Sequence, residues 1–143
     1  VLFIILKPAF YLQTNPLTLI LFVVSILIAA LIYFTILFIV SSVPFWAPEL
    51  GWASQFLVAV VIIEFLSGAL FPIDVLPMAL KNLVMLTPFP YMIYFPIQVY
   101  IGNIHNLTLL QYFSVSITWL LVLWFFMKYI WDKGLKVYQA TGR

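Results

Sequence analysis

Residues 64–102 read EFLSGALFPIDVLPMALKNLVMLTPFPYMIYFPIQVYIG. Proline interrupts this stretch five times, at Pro72, Pro77, Pro88, Pro90 and Pro96, yet no polar linker replaces the broken helix. Proline removes a backbone donor and cannot sit in a helix interior without breaking it. Broken backbone that stays apolar is tolerated at membrane depth only where protein buries it or it lines a cavity. The stretch therefore reads as a helix that stops, a short helix that dips into or lies on the membrane, and a return.

The rest of the chain agrees with that solvent. Of its residues 66% are hydrophobic and 7% charged, against about 25% charged in an ordinary soluble domain. A formal net charge of +2, scattered along the chain, is too weak for nucleic-acid binding, which needs a basic stripe. The absence of cysteine removes disulfides and thiolate chemistry, and the single histidine, His105, rules out a histidine metal cluster within this sequence. Val1 stands inside an apolar run with no initiator methionine, and VLFIILKPAF fits a signal peptide poorly, so the sequence reads as part of a longer protein.

Taken in order, residues 1–6 read as the tail of a helix that Lys7-Pro8 ends, followed by a turn at Asn15-Pro16. Residues 17–40 carry no charge over 24 positions. As helix they measure about 36 Å, against a hydrocarbon core of about 30 Å. Thr18, Ser25 and Thr35 can bond back to their own helix. Residues 41–53 read as a connection in which Trp46 and Trp52 mark one membrane face and Glu49 is the single charge.

Residues 54–71 form a second spanning candidate, in which Glu64 falls about 15 Å beyond the start, close to the bilayer middle. A charged acid there costs about 2.5–3.5 kcal/mol on insertion scales. Glu64 must be protonated, paired, or turned to a polar cavity, and both a functional and a purely structural role stay open. Residues 73–86 then show helical spacing with Asp74 placed to cap the start. Residues 91–101 are aromatic, with Tyr91, Tyr94, Phe95 and Tyr100, a pattern that interfacial anchoring and packing explain more often than a ligand box.

Residues 102–108 make a polar turn with His105 as a solvated histidine and Asn106-Leu107-Thr108 as a low-specificity glycosylation sequon. Residues 109–130 form the third span, with Lys128 able to snorkel from its end. The basic, amphipathic tail 131–143 reads as an interfacial stop. Lys128, Lys133, Lys136 and Arg143 on one side outnumber Lys7 and Lys81 on the other. That bias puts the C-terminus in the cytoplasm and the proline-broken stretch outside.

Neither a GxxxxGK[ST] phosphate loop nor an HExxH or GxSxG motif is present. With four acids and one histidine, a hydrolase or transferase built from this sequence alone is improbable.

Three strings add a resemblance. LSGALFPIDVLP (66–77), TPFPYMIYFPIQVYIG (87–102) and WDKGLKVYQATG (131–142) together resemble the permease subunits of type-2 ATP-binding-cassette (ABC-2) exporters. The closest branch ends in a W-x-x-G-x-x-x-Y-x-x-x-G tail, here Trp131, Gly134, Tyr138 and Gly142, and also has Phe45-Trp46 after the long helix. The resemblance implies an all-α membrane protein, the C-terminal half of a six-helix permease in the bacterial plasma membrane with both ends cytoplasmic. Residues 1–6 would end the third helix, 17–40 form the fourth, 54–71 the fifth and 109–130 the sixth. Residues 73–101 would be the external re-entrant helices, and 131–143 the cytoplasmic tail.

It further implies a non-catalytic subunit without cofactors of its own. ATP and Mg would belong to cytoplasmic ATP-binding-cassette ATPase subunits, and a second permease, copy or sister, would complete the pathway in the lipid bilayer. The family's main contact with the ATPase, a coupling helix, would lie upstream of Val1. In that picture Gly68, Pro72 and Pro77 shape the break at the outer end of the fifth helix, and Glu64 lies near the path. Phe89, Tyr91, Tyr94 and Phe95 would close the outer mouth. A non-transporting membrane scaffold, or a membrane enzyme with its catalytic half upstream, are the competing readings. The apolar, aromatic, sparsely charged sequence suits lipids, glycolipids or amphipathic drugs better than small ions.

Overall fold

A computed structural model describes residues 12–104 and 106–140, with side chains through residue 137. The expectations for residues 1–6 and for His105, Tyr138, Gly142 and Arg143 lie outside the described backbone or side chains. Among the described residues all regular structure is helical, and three helices are long and apolar enough to cross a membrane.

The first, α1, runs Pro16–Ser41. Asn15 caps it, its Oδ1 accepting from the Leu17 N–H at 3.0 Å, and Pro16 takes the first helical position, where a missing N–H costs nothing. Ser25 and Thr35 donate to the carbonyls of Phe22 and Leu31 at 2.7 and 2.6 Å, so these hydroxyls are satisfied within their own helix. After Ser42 the chain makes two short 3₁₀ turns, Val43–Phe45 and Pro48–Leu50.

The second span, α2, covers Pro48–Leu66. It is α-helical over Gly51–Phe56, π-helical over Leu57–Ile62, and α-helical again over Ile63–Leu66. This corrects the boundaries expected from sequence, which put the span at 54–71 behind a loop. The helix starts earlier because no proline follows Pro48 in the segment. It stops five residues earlier because Gly68 turns left-handed at φ +88°, a conformation that glycine alone adopts without strain. Gln55 Nε2 donates to Ser41 Oγ at 2.6 Å and pins the start of α2 beside the end of α1.

The proline-broken stretch folds into two short helices, α3 (Met78–Met85) and α4 (Tyr94–Ile101), preceded by the 3₁₀ turns Ile73–Val75 and Phe89–Tyr91. A single helix over 73–86 does not form. Pro77 drives Leu76 into extended backbone (ψ 145°), and the helix restarts at Met78 with no side-chain cap, so Asp74 is not a capping residue. Pro96 lies in the first turn of α4, where its missing donor is harmless, and Gly102 at φ +77° closes that helix in the left-handed cap geometry.

The last helix, α5, runs unbroken over Asn106–Ala140. The sequence suggested a span over 109–130 followed by an interfacial stop. The structure instead continues the helix through the tail, since nothing from Trp131 to Ala140 is a proline and Gly134 is held by packing.

α1 is the hub, and it packs along both α5 and α4. Ile32, Ile36 and Val40 of α1 meet Ile63 of α2 and Tyr91, Met92, Phe95 and Val99 of the returning limb in one buried cluster. Tyr112, Phe113 and Trp119 of α5 close its other side.

Candidate functional site

Depth can be read from contacts along the long helices. Gln13 Nε2 donates to the Tyr100 carbonyl at 3.0 Å, which ties the end of α4 to the start of α1. Trp119 Nε1 donates to the Leu86 carbonyl at 3.2 Å. Trp119 lies 13 residues into α5, about 20 Å along its axis. The α3–α4 hairpin therefore descends from the end where α1 and α5 begin, turns around residues 86–93, and climbs back. The returning limb is the buried one, with Pro90, Tyr91, Met92 and Phe95 in the core, while α3 leaves Met78, Leu80 and Leu83 exposed.

The end of α2 meets this tip. The Tyr94 N–H donates to the Ser67 carbonyl at 3.0 Å, one residue before the Gly68 turn. A Cβ on Gly68 would stand 3.2 Å from Ile73 and 3.3 Å from Tyr94, a tight fit added to the strain of the left-handed backbone angle. Pro72 and Pro77 bracket the following 3₁₀ turn and keep the chain from resuming α2.

Glu64 occupies the last turn of α2. It lies nine residues above Gln55, about 13 Å, while Ala30 of α1 lies eleven residues above Ser41, about 16 Å. Glu64 is thus level with the middle of α1 although it is near the end of its own helix. It is half-buried and lines a cavity of about 380 Å³ between α1, α2 and the hairpin tip. Ala29, Ala30, Tyr33, Ala59 and Met92 share the wall. No other described side chain hydrogen-bonds or ion-pairs with the Glu64 carboxyl.

The four aromatics assigned to the outer mouth divide. Tyr91 and Phe95 are buried, at 2% and 1% exposure, and pack edge-on against Tyr112, with Phe95 also 4.9 Å from Phe113 between ring centroids. Within this chain they are core residues. Phe89 and Tyr94 are partly buried, and the Tyr94 hydroxyl donates to Asp74 Oδ1 at 2.8 Å.

That contact belongs to a polar cluster which the sequence reading did not assemble. Lys81 Nζ lies 2.7 Å from Asp74 Oδ1, and Gln98 Nε2 donates to Oδ2 at 3.3 Å. One carboxylate thereby joins the 3₁₀ turn, α3 and α4. The Lys81 hydrogen bond, helped by Tyr94, holds the Asp74 carboxyl below the usual carboxylate range against a smaller opposing effect of burial. The available signal was the seven-residue spacing of the two charges in an otherwise uncharged stretch.

At the other end of the molecule, Trp131 of α5 packs between Phe38 and Phe45, at 5.0 and 5.4 Å between ring centroids. A Cβ on Gly134 would clash with the edge of the Phe45 ring. The Phe45-Trp46 string and the Trp131/Gly134 tail, far apart in sequence, form one joint.

Among the described residues no three His, Cys, Asp or Glu side chains group to hold a metal ion. The family model described as ABC-2 family transporter protein matches residues 1–142. No curated protein and no solved structure matches the chain.

Proposed function

The chain belongs to the ABC-2 transporter family, and on that premise we propose that it is part of the permease of an ATP-binding-cassette exporter in the bacterial plasma membrane. The match makes it a membrane transport component, and the geometry supports a role in the path itself. The observation that carries the reading is the meeting of α2 with the hairpin tip. A helix that ends level with the middle of α1, at a glycine turn, leaves the remaining depth to two short helices held by one carboxylate cluster. Such a joint can open or close without unwinding a full span.

In this reading two permease subunits, identical or sister chains, enclose the pathway, and cytoplasmic ATPase subunits supply ATP and Mg. This chain supplies no catalytic residue. ATP binding favours one of two permease conformations by its differential affinity for them. The C-terminus lies in the cytoplasm, so α2 rises from the inner face and the α3–α4 hairpin closes the outer one. Gly68, Pro72 and Pro77 form the hinge, Phe89 and Tyr94 face the outer closure, and Tyr91 and Phe95 anchor it to α5. The Phe45–Trp131 joint stiffens the cytoplasmic end, where the turns after α1 add a secondary contact with the ATPase.

The test is purification of the complete permease from its native host in mild detergent, with identification of what co-purifies and an assay of vanadate-sensitive ATP hydrolysis. A stoichiometric ATP-binding-cassette subunit with activity is the expected result. A preparation without ATPase, repeated in lipid nanodiscs, would favour a scaffold. Gly68→Leu is expected to block the close approach of α2 to the hairpin, and wild-type assembly and transport in that variant would remove Gly68 from the hinge.

A further inference from the structure

We infer that the cavity at Glu64 is a binding site for lipophilic cations, an inference that rests on the permease reading and names the substrate class of that same site. The wall is aliphatic, and three alanines, Ala29, Ala30 and Ala59, give it width where larger side chains would fill it. Its polar side chains are Glu64 and Tyr33, and neither carboxyl nor phenol bonds to another described side chain. A volume of about 380 Å³ stands at the lower end of the range of about 300–1,000 Å³ typical of small-molecule sites.

The charge balance decides what fits. Lys81 is bonded to Asp74, and Lys128, Lys133 and Lys136 stand on the far part of α5, toward the joint with Phe45. None of the described basic side chains therefore neutralises Glu64, and its carboxyl, when ionised level with the middle of α1, calls for a positive partner. Anions are repelled there. A hydrated inorganic cation gains too little, since one carboxyl and one phenol fall far short of the oxygen cage that replaces its water. A neutral lipid chain fills the walls but leaves the carboxyl unmatched. A cation whose charge is buried in an apolar body satisfies both, because it is cheap to dehydrate and its body matches the aliphatic wall. Met92, unbranched and polarisable, lets that wall adapt to bodies of different shape.

The experiment uses the complete permease with its ATPase in nanodiscs of zwitterionic lipid, and radiolabelled tetraphenylphosphonium as the probe. Binding of radiolabelled tetraphenylborate, an anion of the same shape, is measured in separate samples. Saturable binding of the cation is expected, with no saturable binding of the borate. Glu64→Gln, nearly isosteric, should weaken binding about tenfold or more, the effect of losing one charge–charge attraction in a partly desolvated site. Ala59→Phe, which fills the cavity and leaves Glu64 in place, should abolish it. Unchanged affinity in Glu64→Gln, equally tight saturable binding of the borate, or no saturable binding of the cation to the wild type each overturns the cation site. ATPase co-purification with the wild type is measured in the same preparations. Its retention alongside a failed binding test leaves the permease reading standing, whereas its loss removes that reading itself.

Discussion

Gly134 lies where α5 crosses the turn after α1, and its missing side chain is what admits the Phe45 ring. Gly134→Ala should cost about 1–3 kcal/mol, the usual range for overpacking a close contact. A lower unfolding temperature in detergent would register it. In a Phe45→Ala background, itself less stable because the Trp131 contact is lost, Gly134→Ala should cost far less, because the clash partner is gone. An equal cost of Gly134→Ala in both backgrounds would show that the glycine serves the backbone and not the ring. Asp74 offers a second test at this scale. Its pKa is lowered by folding, so its contribution is complete above the usual carboxylate value of 3.8 and is lost as pH falls through the lower folded value. Asp74→Asn removes the charge at neutral pH. The carboxylate and Lys81 side chains are 47% and 30% exposed, so solvent screening limits the pair to about 1 kcal/mol or less. Hydrogen exchange over α3 should accelerate by about two- to fivefold in that variant. Unaltered exchange would mean that apolar packing alone holds the hairpin.

The π-helical segment Leu57–Ile62 sets the direction in which Glu64 points. Its i→i+5 bonding, seen where the Ile63 N–H reaches the Val58 carbonyl, winds the chain more slowly than an α-helix and takes up about one extra residue. Deleting Val60 should let the segment rewind as α-helix with Glu64 still facing α1. Cysteines at positions 30 and 64 should then remain joinable by a short bifunctional reagent. Deleting Phe65, beyond the π segment, should displace the Gly68 turn and disturb packing against Tyr94. Loss of cross-linking in the Val60 deletion would refute the role given to the π winding. No local residue pattern announces such a segment, and the sequence was silent on it. The spans themselves were legible, because a long uncharged apolar run has few other places to go in a bilayer protein. Their ends were less so. Ala69, Leu70 and Phe71 remain apolar past the helix terminus, so hydropathy runs on where Gly68 has already turned the backbone. In the same way the basic tail looked like a stop by composition, yet carries no proline, and its Gly134 is held by packing. Glu64 stood out from sequence by its charge alone, whereas its alanine-lined surroundings depended on packing between elements far apart in the chain.

For the whole molecule, the reading depends on which side of the membrane the hairpin faces, and the chain is suited to that question because it has no cysteine. Three single cysteines, at Asn103, Leu86 and Lys133, sample the mouth of the hairpin, its tip and the helical tail. An impermeant maleimide applied to intact cells should label position 103 and leave 133 untouched until the membrane is opened. Position 86, beside Trp119 about 20 Å along α5, should react slowly from either side while the path is closed. If the proposed ATP-driven alternation moves the tip and not the ends of the long helices, trapping the ATPase with vanadate should change the rate at 86 more than at the other two. The opposite pattern, with 133 labelled from outside and 103 protected, would invert the protein. Glu64 would then still lie at mid-depth, but the hairpin would close the cytoplasmic side, and the Phe45–Trp131 joint would stand where no ATPase could reach it. The basic residues of α5 argue against that arrangement, since a segment carrying Lys128, Lys133 and Lys136 is retained on the cytoplasmic side in preference to one whose lysine is already bonded to Asp74.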